Sequence, residues 1–294
     1  MFEFTKAKSL GALPTQAVGD YLLSIDDING SRQFMDGDVS AQGIFGYNQA
    51  YLPCGMLVGF IEPVTSPQKT LEIVSASEIS ADLRLQGSRI KLTLDRFYVE
   101  SYPGTGEHTI LCEFNGKNQV LPENEELKFA TKFSANDKSA AAVMNAPIFL
   151  GLTVANDGIS FEGRTINIES KGSEAILAAL ETPVFKAGLS LISTAQPALK
   201  QLVSLAAASI KNIESSKKNK QVHHFNLGLD FSDRVTSARL RLGTYIIIQT
   251  DSASWDWTQF EWQRDAMLLR DVRKTHAESI GFNYLAIGVS NFES

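Results

Sequence analysis

Between residues 173 and 213 the apolar residues recur every three or four positions, whereas on either side they tend to alternate with polar ones. A period near 3.6 is typical of a helix that buries one face, and a period of two is typical of a strand. The chain is therefore predicted to be mainly β, as an antiparallel β-sandwich or two such sandwiches, with a helical insertion at about 173–216.

This contrast divides the 294 residues into three regions. They are a β-rich N-terminal region at 1–170, the helical insertion at 171–221 and a β-rich C-terminal region at 222–294. Two arrangements fit the pattern. Either the insertion interrupts one composite domain to which all three regions contribute, or it divides two sandwich-like units.

Two β-hairpins are predicted from turn residues between alternating segments. The turn Pro103–Gly106 follows the strand around Ile90–Leu94, and Asp157-Gly158 separates Ile148–Ala155 from Ile159–Ile168. Glycine allows the positive φ that tight hairpins need, and Asp-Gly between apolar segments is among the strongest short-range hairpin signals.

Charge and cysteine content narrow the class of protein. The net charge of -6 and the isoelectric point near 5.3 disfavour nucleic-acid binding, which depends on neutralising phosphates. Two cysteines, Cys54 and Cys112, are too few for a disulfide-stabilised secreted fold, and Cys112 is predicted to be a buried thiol.

The longest uncharged stretch of the insertion, Ala187–Leu199, is shorter than the roughly 20 residues of a membrane-spanning helix. We expect a soluble, cytoplasmic protein.

The histidines and cysteines do not have catalytic or metal-binding spacing. His223 and His224 are adjacent on a predicted strand, so their rings point to opposite faces. His108 and Cys112 lie about 13 Å apart along an extended strand, too far for a thiolate–imidazolium pair. The sequence therefore predicts no catalytic residue, no metal ligand and no cofactor.

Carboxylates cluster in several predicted loops. The groups are Asp26-Asp27, Asp36 with Asp38, Asp230 with Asp233, and Asp251 with Asp256. In architecture, the stretch Ile90–Ile168 and the strands after Val222 resemble the calcium- and lipid-binding β-sandwich modules of the protein kinase C type. Those modules gather aspartates at one end of the sandwich, with Asp-x-Asp pairs in a calcium loop, and the predicted loop Ser31–Ser40 contains one such pair. The other interpretation is that these carboxylates are solvated turn residues.

All three tryptophans, Trp255, Trp257 and Trp262, fall within eight residues. One interpretation is an aromatic cluster in the core, since large aromatic side chains dominate core burial. The other is an exposed patch that binds a protein partner, because tryptophan is enriched at interfaces. Arg239 and Arg241 alternate on a predicted strand, and they either contact an anionic partner or protect an edge strand from aggregation.

Lys217, Lys218 and Lys220 form a short basic loop after the insertion. They either cap the preceding helix or contact an anionic membrane surface. The apolar face of the insertion likewise has two interpretations, because it either closes one side of the β-structure or enters a membrane or a partner's groove.

These observations favour a non-catalytic binding or assembly module that recognises a protein partner through Trp255, Trp257, Trp262, Arg239 and Arg241. The first alternative is a peripheral-membrane or membrane-active effector that uses the helical segment and the basic loop. The second alternative is a hydrolase whose site is assembled from residues distant in sequence.

Overall fold

The computed structural model describes residues 4–36, 49–64, 67–120, 123–169, 182–191, 216–274 and 279–293, together with residues 177, 178, 180, 204, 207, 208, 211 and 213. Within this part of the chain, sixteen strands form three sheets, and almost all pairings are antiparallel. The prediction of a mainly β, antiparallel architecture with a small helical insertion is confirmed.

The sheets are named here by their positions in the stack. The central sheet has the strand order β10 (Leu189–Ser190), β8 (Ala146–Thr153), β4 (Arg89–Val99), β16 (Tyr284–Asn291), β13 (Gly243–Gln249), β1 (Met56–Ile61) and β3 (Val74–Ser75), with β7 (Ser139–Ala140) also paired to β4. The back sheet has the order β12 (Ala238–Arg239), β11 (Lys220–Asp230), β9 (Ile159–Asn167), β5 (His108–Val120) and β6 (Glu123–Ala135). The small sheet has the order β15 (Leu268–Asp271), β14 (Phe260–Gln263) and β2 (Thr70–Glu72).

The main core lies between the central sheet and the back sheet. On β4, Ile90, Leu92 and Leu94 are fully buried in this core, and Phe225 and Leu227 of β11 meet them from the opposite layer. Burying each such side chain stabilises the fold by roughly 1.5–3 kcal/mol. The alternation in the sequence therefore identified the inward faces of both strands correctly.

Strands from both sides of the helical insertion pair within the same sheets. In the back sheet β11 pairs with β9, and in the central sheet β13 pairs with β1 and β16 pairs with β4. The two β-rich regions of the sequence therefore form common layers around one main core.

The insertion packs against this core at its described positions. Residues 177, 178, 180, 204, 207, 208, 211 and 213 are helical, and Leu177, Leu180 and Ile213 are buried in the main core. The one-turn helix Pro183–Lys186 contacts β6 at the edge of the back sheet, and β10 then adds to the edge of the central sheet. These contacts join the two sheets along one open side of the sandwich.

Helices α1 (Thr15–Ser24) and α2 (Ile28–Asp36) precede the first strand. Val18 and Leu22 of α1 are buried in the main core. The side chain of Asp27 accepts the backbone N–H of Gly30 at 2.9 Å, as an N-cap does, so α2 begins directly after it. The loop predicted from Ser31 is therefore wrong as far as Asp36.

The short 3-10 helices are Lys6–Lys8, Leu10–Ala12, Leu83–Leu85 and Trp257–Gln259. The first two contact β11 of the back sheet.

The two predicted hairpins are wrong, although their turns are present. Ala155 and Gly158 exchange backbone hydrogen bonds of 3.1 Å, yet β8 belongs to the central sheet and β9 to the back sheet. The strands before and after Pro103–Gly106, β4 and β5, are likewise in different sheets. Each of these strands buries its apolar face against the opposite sheet, so each turn connects the two layers of the sandwich and forms a corner between them.

Gly158 is expected to be essential for the corner between β8 and β9. Its φ is +107°, and an added Cβ would lie 2.0 Å from the carbonyl oxygen of Leu229. The substitution Gly158→Ala should lower the free energy of unfolding by about 2–3 kcal/mol, measured by urea denaturation.

Gly228→Ala, on the neighbouring strand, is the matched control, because a Cβ there meets no atom within 4 Å. It should be neutral or stabilising by up to about 1 kcal/mol, since glycine weakens a strand interior. Equal losses of stability in the two variants would show that the corner does not require glycine.

Candidate binding groove

A second apolar cluster lies on the outer face of the central sheet, where the small sheet covers it. Ile246 and Ile248 of β13 point into this cluster, whereas Tyr245 and Ile247 point into the main core. The cluster is completed by the buried side chains Ile61, Ile73, Tyr98, Phe260, Trp262, Leu269, Phe282, Tyr284 and Ala286. The middle strands of the central sheet are therefore buried on both faces.

The outer face of the central sheet changes from apolar to polar along its strands. On β13 the outward residues are Ile248 and Ile246 at one end and Thr244 at the other. On β16 the apolar Tyr284 and Ala286 are followed by Gly288. The small sheet covers the apolar half, and a concave surface begins where the polar half is left open.

This concave surface consists of two adjoining cavities that share Glu62, Val64 and Leu71. The first, the edge groove, has a volume of about 900 Å³ and runs beside β2 and β3. The second, the notch, has a volume of about 670 Å³ and lies over the polar half of the central sheet. Both volumes are in the range of cavities that bind ligands or peptide side chains.

The edge groove runs along two sheet edges that are consecutive in sequence. The segment Thr70–Ser75 pairs with β14 through β2 and with β1 through β3. Within the described residues, β2 and β3 are the last strands of their sheets and have no strand partner on the other side. Val74 is 37% exposed and Val272 is 44% exposed in the same groove. The groove therefore combines unpaired strand edges with exposed apolar side chains.

The notch has a carboxylate at its floor. Asp95 lies at a bulge of β4, because Leu94 pairs with Ile287 and Arg96 with Ala286 and no residue of β16 is opposite Asp95. The hydroxyl of Thr93 donates a hydrogen bond of 2.6 Å to the Asp95 carboxylate. Burial raises the pKa of the Asp95 carboxyl above its usual value, while the Thr93 hydrogen bond and the charge of Lys91 oppose the shift.

The structure places the three tryptophans in the outer cluster. Trp262 is 7% exposed and forms a wall of the notch. Trp255 and Trp257 are half-buried, with Trp255 stacked on Phe260 at 5.1 Å and in edge contact with Trp257 at 5.6 Å. Trp255 and Trp257 do not share a strand face, because Trp257 begins a 3-10 helix.

The two predicted arginines have different surroundings. Arg241 forms an ion pair of 3.1 Å with Glu62, a residue that lines both cavities. Arg239 forms an ion pair of 3.1 Å with Asp233, and its backbone N–H donates a hydrogen bond to the carbonyl oxygen of Ala76, next to β3. The structure therefore places Trp262 in the wall of the notch and Arg241 beside Glu62, whereas Arg239 lies at the junction of β3 and β12.

The predicted basic loop lies at the start of β11. Lys217 and Lys218 are exposed and Lys220 is half-buried. Burial raises the pKa of Glu169, and the nearby charge of Lys218 opposes that shift, so the loop faces a carboxylate. In the described part of the chain, no helix combines the length and apolar character that a membrane crossing requires.

One cysteine, one histidine and one aspartate come together from distant parts of the sequence. The Asp251 carboxylate accepts the backbone N–H groups of Cys54 and Gly55 at 2.6–3.1 Å. Burial raises the pKa of the Cys54 thiol and lowers the pKa of His223 to about 4. A thiolate–imidazolium pair needs a lowered thiol pKa and a raised imidazole pKa, and both groups are shifted the other way.

A second buried histidine, His108, contacts a carboxylate near the start of β5. His108 is 1% exposed, and its Nε2 lies 2.9 Å from the Asp137 carboxylate, which also accepts the backbone N–H of Tyr102. Among the described residues, no group of three or more His, Cys, Asp or Glu side chains is arranged to hold a metal ion. Cys54 and Cys112 are free and buried.

The loop carboxylates with described side chains accept hydrogen bonds from turns. Asp27 accepts from Gly30 and Gly104, and Asp256 accepts from Thr258. Asp230 likewise accepts from Ser232. No such hydrogen bonds can be described for Asp36 and Asp38, the pair in the calcium loop that the sandwich resemblance implies. Asp36 ends α2, and Gly37 and Asp38 lie outside the described residues.

Asp95, Thr93, Val74 and Val272 were not predicted as site residues. The alternation on β4 did show Lys91, Thr93 and Asp95 on one polar face, but the sequence did not show that a second sheet overhangs it. Comparison of the chain with protein-family models, with curated proteins and with solved structures finds no match. The function must therefore be inferred from the chemistry of the groove itself.

The buried neutral ring of His223 should make the fold sensitive to acid. The ring faces the Gly55 carbonyl and is influenced by the charges of His224 and Asp251, and its pKa is about 4 in the folded state against about 6.5 in the unfolded chain. The unfolded chain binds the proton more strongly, so stability is complete above pH 6.5 and falls as the pH drops towards 4. One group contributes about 1.4 kcal/mol per pH unit, or about 3 kcal/mol over this window.

His223→Gln should remove this part of the pH dependence, because glutamine does not titrate. The measurement is the free energy of unfolding from urea denaturation between pH 7 and pH 4 for the wild type and the variant. Parallel pH profiles would contradict the assignment to His223.

Proposed function

We propose that this protein is a non-catalytic binding module that recognises a protein partner, and that the edge groove is the recognition surface. The observation that carries the proposal is the segment Thr70–Ser75, which supplies two unpaired sheet edges beside the exposed Val74 and Val272. A strand edge of this kind offers a row of backbone N–H and C=O groups that an extended segment can pair with.

The dimensions suit a peptide segment in extended conformation. The six residues Thr70–Ser75, five of which lie in β2 or β3, span about 20 Å when extended, which is the length of an average strand. In strand addition the backbone hydrogen bonds supply affinity, and pockets for alternate side chains supply specificity. Val64, Leu71 and Val272 give the edge groove apolar walls for such side chains.

The charges of the groove favour a protein over a nucleic acid. Glu62, Glu72 and Glu261 line the edge groove with a single lysine, Lys69, and Glu62 and Glu261 are paired with Arg241 and Arg270. Carboxylates repel phosphates, and the chain as a whole carries a net charge of -6.

The other two functions considered from the sequence have less support. Membrane binding through Lys217, Lys218 and Lys220 would use a loop that faces Glu169. Hydrolysis would use Cys54 and His223, whose environments favour the neutral thiol and the neutral ring.

A photo-crosslinking amino acid at position 74 tests the proposal in cells of the natural host. It should give one protein adduct that is absent when the same amino acid replaces Val235, which is 82% exposed and is not among the groove-lining residues. Adding Val272→Lys should lower the adduct yield about tenfold, since a buried lysine in an apolar contact costs more than 1.4 kcal/mol.

Val235→Lys, combined with the crosslinker at position 74, is the matched control and should leave the yield unchanged. Crosslinking to the same proteins from positions 74 and 235, or an adduct that is insensitive to Val272→Lys, would contradict recognition through the edge groove.

A further inference from the structure

The floor of the notch beside the edge groove holds the Asp95 carboxylate, whereas the other carboxylate that lines the notch, Glu62, is already paired with Arg241. Thr244 of β13 and Thr93 of β4 pair with Gly288 of β16 from opposite sides, so the two threonines flank the glycine on neighbouring strands. A Cβ at Gly288 would lie 2.5 Å from the Asp95 Oδ2 and 2.6 Å from the Thr93 hydroxyl oxygen. Glycine at this position therefore makes the space in which the Asp95 carboxylate sits.

The Asp95 carboxylate is only partly satisfied by the residues described. Thr93 donates one hydrogen bond and Thr244 supplies a second. An ionised carboxylate has about four acceptor sites. No ion pair to Asp95 is formed within the described part of the chain, and Lys91 on the same strand influences it only electrostatically. Burial disfavours the charged form of a carboxylate, and a cation that pairs directly with it would offset that cost.

The walls of the notch above this floor are mainly apolar, and they also include Arg264, whose guanidinium donates a hydrogen bond of 3.3 Å to the Gln68 carbonyl. Trp262 and Met267 of the β14–β15 hairpin face Ile61 and Leu242 across the cavity. An arginine or lysine side chain matches this arrangement, because its alkyl stem suits the apolar walls and its cationic head suits the carboxylate at the floor. A guanidinium or ammonium group that reaches the floor gains a charge-assisted hydrogen bond in a partly desolvated position.

We infer that the notch binds a basic side chain, arginine or lysine, of the protein segment that occupies the edge groove. The inference rests on the proposed function, because the notch and the edge groove share Glu62, Val64 and Leu71 and one segment can therefore reach both. The alkyl stem lies along Trp262, and the cationic head pairs with Asp95.

The positive charge of Lys91 distinguishes a site for a basic side chain from a site for an anionic group. It lines the notch and carries the same charge as the ligand, so it weakens the binding of a cation. Replacing Lys91 with methionine keeps the stem and removes the charge, which should tighten the binding of a basic side chain. A site for an anionic group would respond in the opposite direction.

The test uses the purified full chain labelled with 5-fluorotryptophan, which gives one ¹⁹F resonance for each of the three tryptophans. Trp262→Phe identifies the resonance of the notch wall. N-acetyl-arginine amide is the probe, and N-acetyl-citrulline amide, of the same shape without the charge, is its control. The arginine probe should shift the Trp262 resonance in a saturable manner and leave those of Trp255 and Trp257 in place, while the citrulline probe has no effect.

Asp95→Asn should weaken this binding at least about tenfold, the effect of losing one charge-assisted contact, and Lys91→Met should tighten it about twofold. Urea denaturation should show Asp95→Asn to be at least as stable as the wild type, because the folded state disfavours the charged form of Asp95. Equal binding of the two probes, unchanged binding in Asp95→Asn or weaker binding in Lys91→Met would overturn the inference.

The crosslinking experiment separates this inference from the proposed function. If the adduct from position 74 persists at full yield in Asp95→Asn, the notch does not bind a basic side chain of the partner, and the edge groove remains the recognition surface. If position 74 gives no specific adduct while the arginine probe binds, the proposed function fails and the notch remains a site for a basic group.

Discussion

The structure depends on the burial of the central sheet on both faces. Tyr245 and Ile247 of β13 point into the main core, and Ile246 and Ile248 point into the outer cluster. A sheet with two apolar faces must be covered twice, because an uncovered apolar face of this size is a site for association. The back sheet covers one face and the small sheet covers part of the other. The concave surface formed by the edge groove and the notch begins where the small sheet ends.

The sequence predicted the inward faces of the strands but not their partners. Ile90, Leu92 and Leu94 are all buried, as their alternation indicated. The turn at Gly158 is also present, yet it joins two sheets instead of two paired strands. Alternation reports which side of a strand is apolar, whereas pairing depends on the competition among all strands of the fold. The apolar run Tyr245–Ile248 was a sign of burial on both faces, since such strands are continuously apolar.

The candidate site was less accessible to sequence analysis. The polar face of β4 ending at Asp95 was visible, but the same pattern occurs on any solvent-facing strand. Its significance comes from Gly288, which is distant in sequence and provides the space for the carboxylate. The start of α2 was also within reach, since Asp27 is followed three residues later by the N–H that it caps, but the pair Asp26-Asp27 is equally common in turns. Of the residues predicted for partner binding, Trp262 lines the notch and Arg241 is paired with Glu62, which lines both cavities.

The order of strands in the central sheet has a consequence for synthesis of the chain. The strand β16, which comes last of all the described strands in sequence, lies between β4 and β13 in the middle of the sheet. Until it emerges from the ribosome, no strand lies between β4 and β13 to join them, and the contacts of β16 with β4 connect residues that are distant in sequence. Closing such long loops is slow, and incomplete chains of this kind expose apolar strand edges. Until residues 284–291 have been synthesised, β4 and β13 therefore expose strand edges that are vulnerable to aggregation.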